Sequence, residues 1–234
     1  PGEIAEPVGM LLAQEADVSK RAAYSILAAD NTAESAAILV SELGGILDET
    51  LFRTVHLDLY EAASLREDAN VQAQVKAVDA FLAAENRNAF DFLREGGDPV
   101  QGQNVFENQG ICMKCHQGNR GGGDAGPPLE NIARLRRPEE ILHSILDPNA
   151  KVVAGYGIAA VTLKDGTTIV GSPMKESYTT LSMKTPTGET EEIAKNTIES
   201  RTPAVSAMPV MTGILSKKDL RDVLAYLLTL DGRK

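Results

Sequence analysis

Over residues 1–97 the apolar positions recur at spacings of three and four. They run Ala22, Ile26 and Leu27; Ala37, Leu39, Val40 and Leu43; Leu51, Val55, Leu59 and Ala62; then Val71, Val75, Val78, Phe81 and Leu82. That period predicts amphipathic helices, each with one face turned to a core. Breaks are expected at Asp30-Asn31-Thr32, Gly44-Gly45 and Glu67-Asp68-Ala69-Asn70, and Asn31 or Thr32 can cap the helix that follows. Short helices with short connections predict antiparallel hairpins stacked side by side. A degenerate HEAT-like repeat and a plain bundle both fit, since no strict sequence period is present. Nothing in this segment has the spacing of a catalytic site.

Gly96-Gly97-Asp98-Pro99 reads as a boundary, followed by a short helix around Gln101–Phe106. The pattern changes at about residues 154–200. Ala159, Val161 and Leu163 alternate on one face, Lys164-Asp165-Gly166 supplies a turn, and Thr167–Val170 returns. Thr179, Leu181 and Met183 alternate against Thr180, Ser182 and Lys184, and Pro186-Thr187-Gly188 turns again before Ile193. A small antiparallel sheet curled into a barrel, inserted in a helical domain, is the expectation. Ser216-Lys217-Lys218-Asp219 then makes a capping box for a last helix, with Leu220, Val223, Leu224, Leu227 and Leu228 on one stripe. The chain is therefore expected to be mainly α: a helical module over 1–97, then a second domain over 98–234 with a β insertion.

Charge sharpens that division. Residues 1–97 carry 17 acidic and 7 basic side chains, and residues 98–234 carry 16 of each, so the whole net charge of −10 sits in the first module. Such a balance argues against nucleic acid or an anionic membrane as partner. An acidic, solvated surface is the simple reading. No apolar run approaches the ~20 residues that cross a bilayer, and the opening residues lack the order of a secretory signal. A chain opening on Pro1 reads as a piece of something longer, with any targeting signal upstream.

The chemistry lies in the only two cysteines, Cys112 and Cys115, within Cys112-Met113-Lys114-Cys115-His116. Cys-x-x-Cys-His is the attachment sequence of c-type haem. Two thiols on one turn can add across the two porphyrin vinyl groups, and the next imidazole then lies beneath the iron. A thioredoxin-like dithiol would open a helix after a strand, and no strand pattern precedes Cys112. Zinc would need two further ligands, while His56 and His143 are distant and unclustered.

The flanking residues extend the motif. Gly102 and Phe106 in a helix, then CMKCH, Gly126-Pro127-Pro128-Leu129, Met208-Pro209 and a closing helix with Tyr226 resemble the cytochrome c family. With a β insertion before Ser206-Ala207-Met208-Pro209 and a HEAT-like segment in front, the chain is most similar to the haem-binding domain of planctomycete and verrucomicrobial multidomain proteins. The resemblance covers about residues 98–232 well and the helical region only loosely.

It implies one haem c held by Cys112 and Cys115, with His116 as proximal iron ligand and its other nitrogen held by the carbonyl of Pro127. It implies Met208 as sixth ligand, a soft thioether that favours ferrous iron and raises the reduction potential. Among the other methionines, Met113 is inside the attachment turn, Met10 lies in the acidic module, and Met174 and Met183 fall on the sheet as gap fillers. Met211 is the rival for the iron. His143, on a core helix, is the candidate for a bis-histidine alternative. Arg134, Arg136 and Arg137 either reach the haem propionates, as guanidinium binds carboxylate, or form a solvated helix end.

The expected function is electron transfer through that haem, as a module of, or partner to, a larger oxidoreductase, with no catalysis of its own. The alternative is a haem enzyme or gas sensor with an open sixth position. The expected partner is a redox protein or an upstream catalytic domain. Covalent haem attachment places the chain in the periplasm or another extracytoplasmic space.

Overall fold

The computed structural model describes residues 4–233. About half of the chain is helical, and a six-stranded antiparallel sheet accompanies the helices. Nine α-helices and eight strands, in chain order, make up the described residues. The helices are α1 (Ala5–Leu12), α2 (Asp17–Ala29), α3 (Ala33–Leu47), α4 (His56–Ser64), α5 (Ala69–Ala84) and α6 (Pro99–Asn104). After them come strands β1 (Gln117–Gly118) and β2 (Gly121–Gly122), then α7 (Ile132–Leu135) and α8 (Pro138–Leu146). The main sheet follows as β3 (Gly157–Leu163), β4 (Thr168–Glu176), β5 (Thr180–Lys184), β6 (Thr190–Ala194), β7 (Ile198–Arg201) and β8 (Val205–Ser206), before α9 (Lys217–Leu227).

Two compact units result. The first holds residues 1–102 and 217–226, the second 103–216 and 227–234. The crossing at 102/103 falls close to the boundary expected from Gly96–Pro99. The first ten residues of the closing helix, expected with the second module, group with the first, and buried charge is the reason. Arg221 is 1% exposed and grips Asp58 of α4 with both terminal nitrogens, at 2.6 and 3.4 Å. Nε of Arg21 in α2 lies 3.2 Å from the same carboxylate. The buried Asp222 accepts the Asp98 backbone N–H at 2.9 Å, and burial holds its carboxyl above the usual range.

In the first unit, α2 packs on α4 and α3 on α5, which is how successive helical hairpins stack. Helix α5 buries Val71, Val75, Val78 and Leu82 along one stripe, as the spacing predicts. In α2 the buried face is Ala23, Tyr24 and Leu27, one position round from the expected Ala22 and Ile26. The Tyr24 ring needs the core, and its hydroxyl donates to Glu42 at 2.8 Å. The side chains of Thr32 and Asp68 cap α3 and α5.

The expected break at Gly44-Gly45 does not occur, and α3 runs through both glycines. Instead, the chain leaving the helix doubles back tightly. Thr50 and Leu51 donate to the Gly45 carbonyl at 2.9 and 3.0 Å, and a Cβ on Gly45 would press on Leu51 Cβ at 3.2 Å.

The main sheet runs in the order β6-β5-β4-β3-β7, with β8 paired to the start of β3. Its ladder is open at β6 and β7 and does not close as the expected barrel. The sheet also continues past residue 200, because β8 returns to β3 through Gly157↔Ser206 and Ile158↔Val205. Its core is Ala159, Val161, Leu181, Met183 and Ile193, the positions whose alternation marks the strands.

His56 is buried, donates from Nε2 to the Leu51 carbonyl at 3.0 Å, and meets Phe92 edge-on at 5.4 Å between centroids. Burial holds its pKa below the ordinary 6.5, with Arg53 and Arg87 adding to the shift and Glu95 and the hydrogen bond opposing it. The folded chain thus resists a proton that the unfolded chain accepts, so stability should fall as pH drops below about 6.5, by at most ~1.4 kcal/mol per pH unit. Urea titrations between pH 7.5 and 5 should show this slope, reduced in His56→Gln. A second test concerns Asp58. Asp58→Ala removes the closest anion from the buried Arg221, leaving it Asp222 at 3.8 Å, and should cost about 3 kcal/mol, with Asp58→Leu/Arg221→Met recovering most of it.

Candidate functional site

The site is built on one turn of chain held in place by a glycine-rich loop. Helix α6 widens into a π-helical turn over Val105–Gln109, a feature that marks functional sites more often than chance. Gly110 closes that turn onto the Val105 carbonyl at 2.7 Å. Ile111 then adopts φ +50, the left-handed region that a β-branched residue rarely occupies. This reversal launches a 3-10 turn over Cys112–Lys114, in which Cys115 and His116 both donate to the Cys112 carbonyl, at 3.1 and 2.9 Å. The two thiols and the imidazole therefore leave a single turn of chain.

The next segment folds back over that turn. β1 and β2 form a minimal hairpin, and the amides beyond it satisfy the carbonyls of the motif. Gly123 donates to Met113 at 2.9 Å, Gly126 to Cys115 at 2.7 Å, and Leu129 to Gln117 at 2.8 Å. A side chain on Gly122 would overlap the His116 carbonyl, and one on Gly123 the Lys114 carbonyl. Gly122 also has φ +143.

His116 is the best-defined member. Its Nδ1 lies 2.7 Å from the Pro127 carbonyl oxygen. A carbonyl only accepts, so Nδ1 is the donor, and in the neutral ring the lone pair is then on Nε2. Gly126 lies flat against the ring, and a Cβ there would stand 2.6 Å from Cε1 and 2.8 Å from Nδ1. The result is an imidazole of fixed plane, with Nδ1 occupied by the Pro127 carbonyl and Nε2 as the remaining ring nitrogen. Such an arrangement can ligate a metal from one side.

The cysteines are free thiols, Cys112 half-buried and Cys115 exposed. Burial pushes the Cys112 thiol up to about 11, away from the lowered range of reactive thiolates. The preceding elements are a helix and a π-turn rather than a strand. Among the described residues no three His, Cys, Asp or Glu side chains group as a metal site. The donors offered here are two thiols on one turn, one oriented imidazole and separate thioethers, residues that could hold a covalently attached haem.

The remaining predicted residues are placed as follows. Met208 is half-buried, with its backbone N–H donating to Ser206 Oγ at 3.1 Å. Met211 is 3% exposed in a 3-10 turn that packs on α8. Met183 lies in the core of the sheet, while Met174 is 43% exposed and does not fill a gap. His143 is on the exposed side of α8. Arg137 caps the start of α8, 3.8 Å from Glu140, with its side chain largely in solvent. Arg134 and Arg136 are exposed as well. The structure thus brings His116, Pro127 and the motif turn together, and leaves the arginines on the surface.

Sequence reasoning missed Gly122 and Gly123. The run Gly121-Gly122-Gly123 directly after the motif was the available signal, since consecutive glycines mark backbone that must approach backbone.

No protein-family model and no curated protein matches the chain.

Gly126→Ala should push the imidazole off the Pro127 carbonyl. In the ¹⁵N spectrum of the protein, the slowly exchanging Nδ1–H signal of His116 should disappear, with little change in helical content by circular dichroism.

Proposed function

We propose that the chain carries one haem c, bound through Cys112 and Cys115 with His116 and Met208 as axial ligands, and serves to transfer single electrons. The observation that carries the reading is the His116 imidazole, held by Pro127 and Gly126 with Nε2 free, on the turn that presents both thiols. When bound there, the haem supplies a one-electron Fe(III)/Fe(II) couple. The protein's own part is to hold the ring, fix the ligands and limit water.

Each residue has a task in that part. Pro127 keeps the proton on Nδ1 of His116 and makes Nε2 more basic. Met208 is half-buried, so its thioether remains available to a ligand, whereas Met211 is committed to packing against α8. Pro209 restricts Met208 to extended backbone. His143 faces solvent, and Arg137, 3.8 Å from Glu140, has a largely exposed side chain that remains a candidate for a haem propionate.

A cytochrome c fold is part of the proposal, and one feature of the first unit speaks for it. Gly97 and Gly102 let the chain cross α9 at backbone contact: a Cβ at Gly97 would meet Ala225 Cβ at 2.7 Å, and one at Gly102 would overlap the Asp222 carbonyl and touch Tyr226. Gly102 in the helix before the motif and Tyr226 in the closing helix are two of the residues on which the family resemblance rests.

In this reading a redox protein or a catalytic domain delivers the electron, and the chain works in the periplasm or an equivalent space. Among the described residues no helix is long and apolar enough to cross a membrane.

Ferric absorbance spectra test the assignment. The wild-type protein should show a methionine-to-iron charge-transfer band, lost in Met208→Ala and kept in Met211→Ala. A high-spin wild type that binds cyanide at once would instead mean an open iron site and a haem enzyme or sensor.

A further inference from the structure

Met208 is separated from His116 by 92 residues, most of them in the inserted sheet. A sheet inserted there could leave the sixth ligand on a long, loose tether, yet the structure shows the reverse. The insertion closes on itself two residues before Met208, and three contacts meet at Ser206.

The first is the ladder between the start of β3 and β8, through Gly157↔Ser206 and Ile158↔Val205. Gly157 has no room for a side chain, because Val152 and Ala204 press on it from both sides. The second is Asn149, in the turn after α8, whose Oδ1 accepts the Ser206 backbone N–H at 2.9 Å. The third is Ser206 Oγ, which accepts the Met208 backbone N–H at 3.1 Å. A side chain rooted before the sheet therefore holds the residue that ends the sheet, and that residue holds the backbone of Met208. Pro209 removes the remaining backbone freedom on the other side.

We propose that Asn149 and Ser206 are positioning residues for Met208, forming a clasp at the neck of the inserted sheet that holds the sixth iron ligand in place. The inference rests on the haem-ligand reading above. The clasp reduces the freedom that Met208 loses on ligation, so the methionine competes better against other ligands. The sheet then acts as the anchor of the loop that carries Met208.

Imidazole binding to the ferric holoprotein, followed by absorbance, reads this directly, because imidazole must displace the methionine. Loss of one hydrogen bond should tighten apparent imidazole binding about fivefold in Ser206→Ala and by a similar factor in Asn149→Ala. Because the two act in series, the double variant should bind much like either single one rather than showing their product. Ser206→Thr, which keeps the hydroxyl, should restore wild-type affinity. Thr202→Ala is the matched control, since Thr202 Oγ1 accepts the Ala160 N–H in the same sheet at 2.9 Å but leads nowhere near Met208 in this chain of bonds. It should leave imidazole affinity unchanged even if it lowers the melting temperature.

If Met208→Ala abolishes the charge-transfer band while Ser206→Ala and Asn149→Ala bind imidazole within twofold of wild type, the clasp is wrong and the ligand stands. If Met208→Ala leaves the band intact, both readings fall together. If Thr202→Ala tightens imidazole as much as Ser206→Ala does, the effect is general loosening of the sheet, and the clasp is again overturned.

Discussion

The hydrogen bond from Nδ1 of His116 to the Pro127 carbonyl is the constraint on which the chemistry of this chain depends. Without it, the imidazole has two interchangeable nitrogens and free rotation. With it, one nitrogen is occupied and the other points in a fixed direction. The surrounding backbone exists to make that bond short. Gly126 lies under the ring, Gly122 and Gly123 lie against the motif turn, and two amides of the loop cover the Met113 and Cys115 carbonyls while a third covers Gln117 just beyond it. A side chain at any of these glycines would lift the loop away and take Pro127 with it.

A second constraint is buried charge. Arg221 lies with almost no exposure against Asp58, and Asp222 is hydrogen-bonded to the chain at Asp98. Buried charges tolerate little displacement, because each partner left alone carries the full cost of desolvation. They therefore specify where the closing helix sits on α4 and on the segment before α6, more sharply than its leucine stripe could. Gly97 and Gly102 make that approach sterically feasible. The acidic composition of the first module thus has one structural use among its solvated charges: Asp58 receives Arg221 and Arg21.

The inserted sheet shows how a long excursion can be neutral to a site. Its two ends meet at Gly157 and Ser206, so the chain leaves and re-enters at nearly one place. The loop-closure entropy of the excursion is met within the sheet by its own ladder and its core of Val161, Leu181, Met183 and Ile193. What the excursion returns is a fixed point, Ser206, two residues from Met208.

By itself the sequence determined what depends on local pattern. The helical period of residues 1–97, the cap at Thr32, the break at Glu67–Asn70, the alternation of Val161, Leu181 and Met183, and the spacing of CMKCH are all short-range, and each appears in the structure where the pattern puts it. Tertiary structure decided the rest. Gly44-Gly45 looks like a helix break, yet the helix continues because its partners in the core hold it and the following turn needs the space. Ala22 and Ile26 yield the buried face to Ala23 and Tyr24 because ring burial outweighs a few methylenes. The open sheet, the grouping of the closing helix with α4, and the link from Asn149 through Ser206 to Met208 join residues 47 to 163 positions apart in sequence or depend on such joining. No period encodes such pairs, since they arise only when burial and hydrogen-bond satisfaction are solved for the whole chain at once.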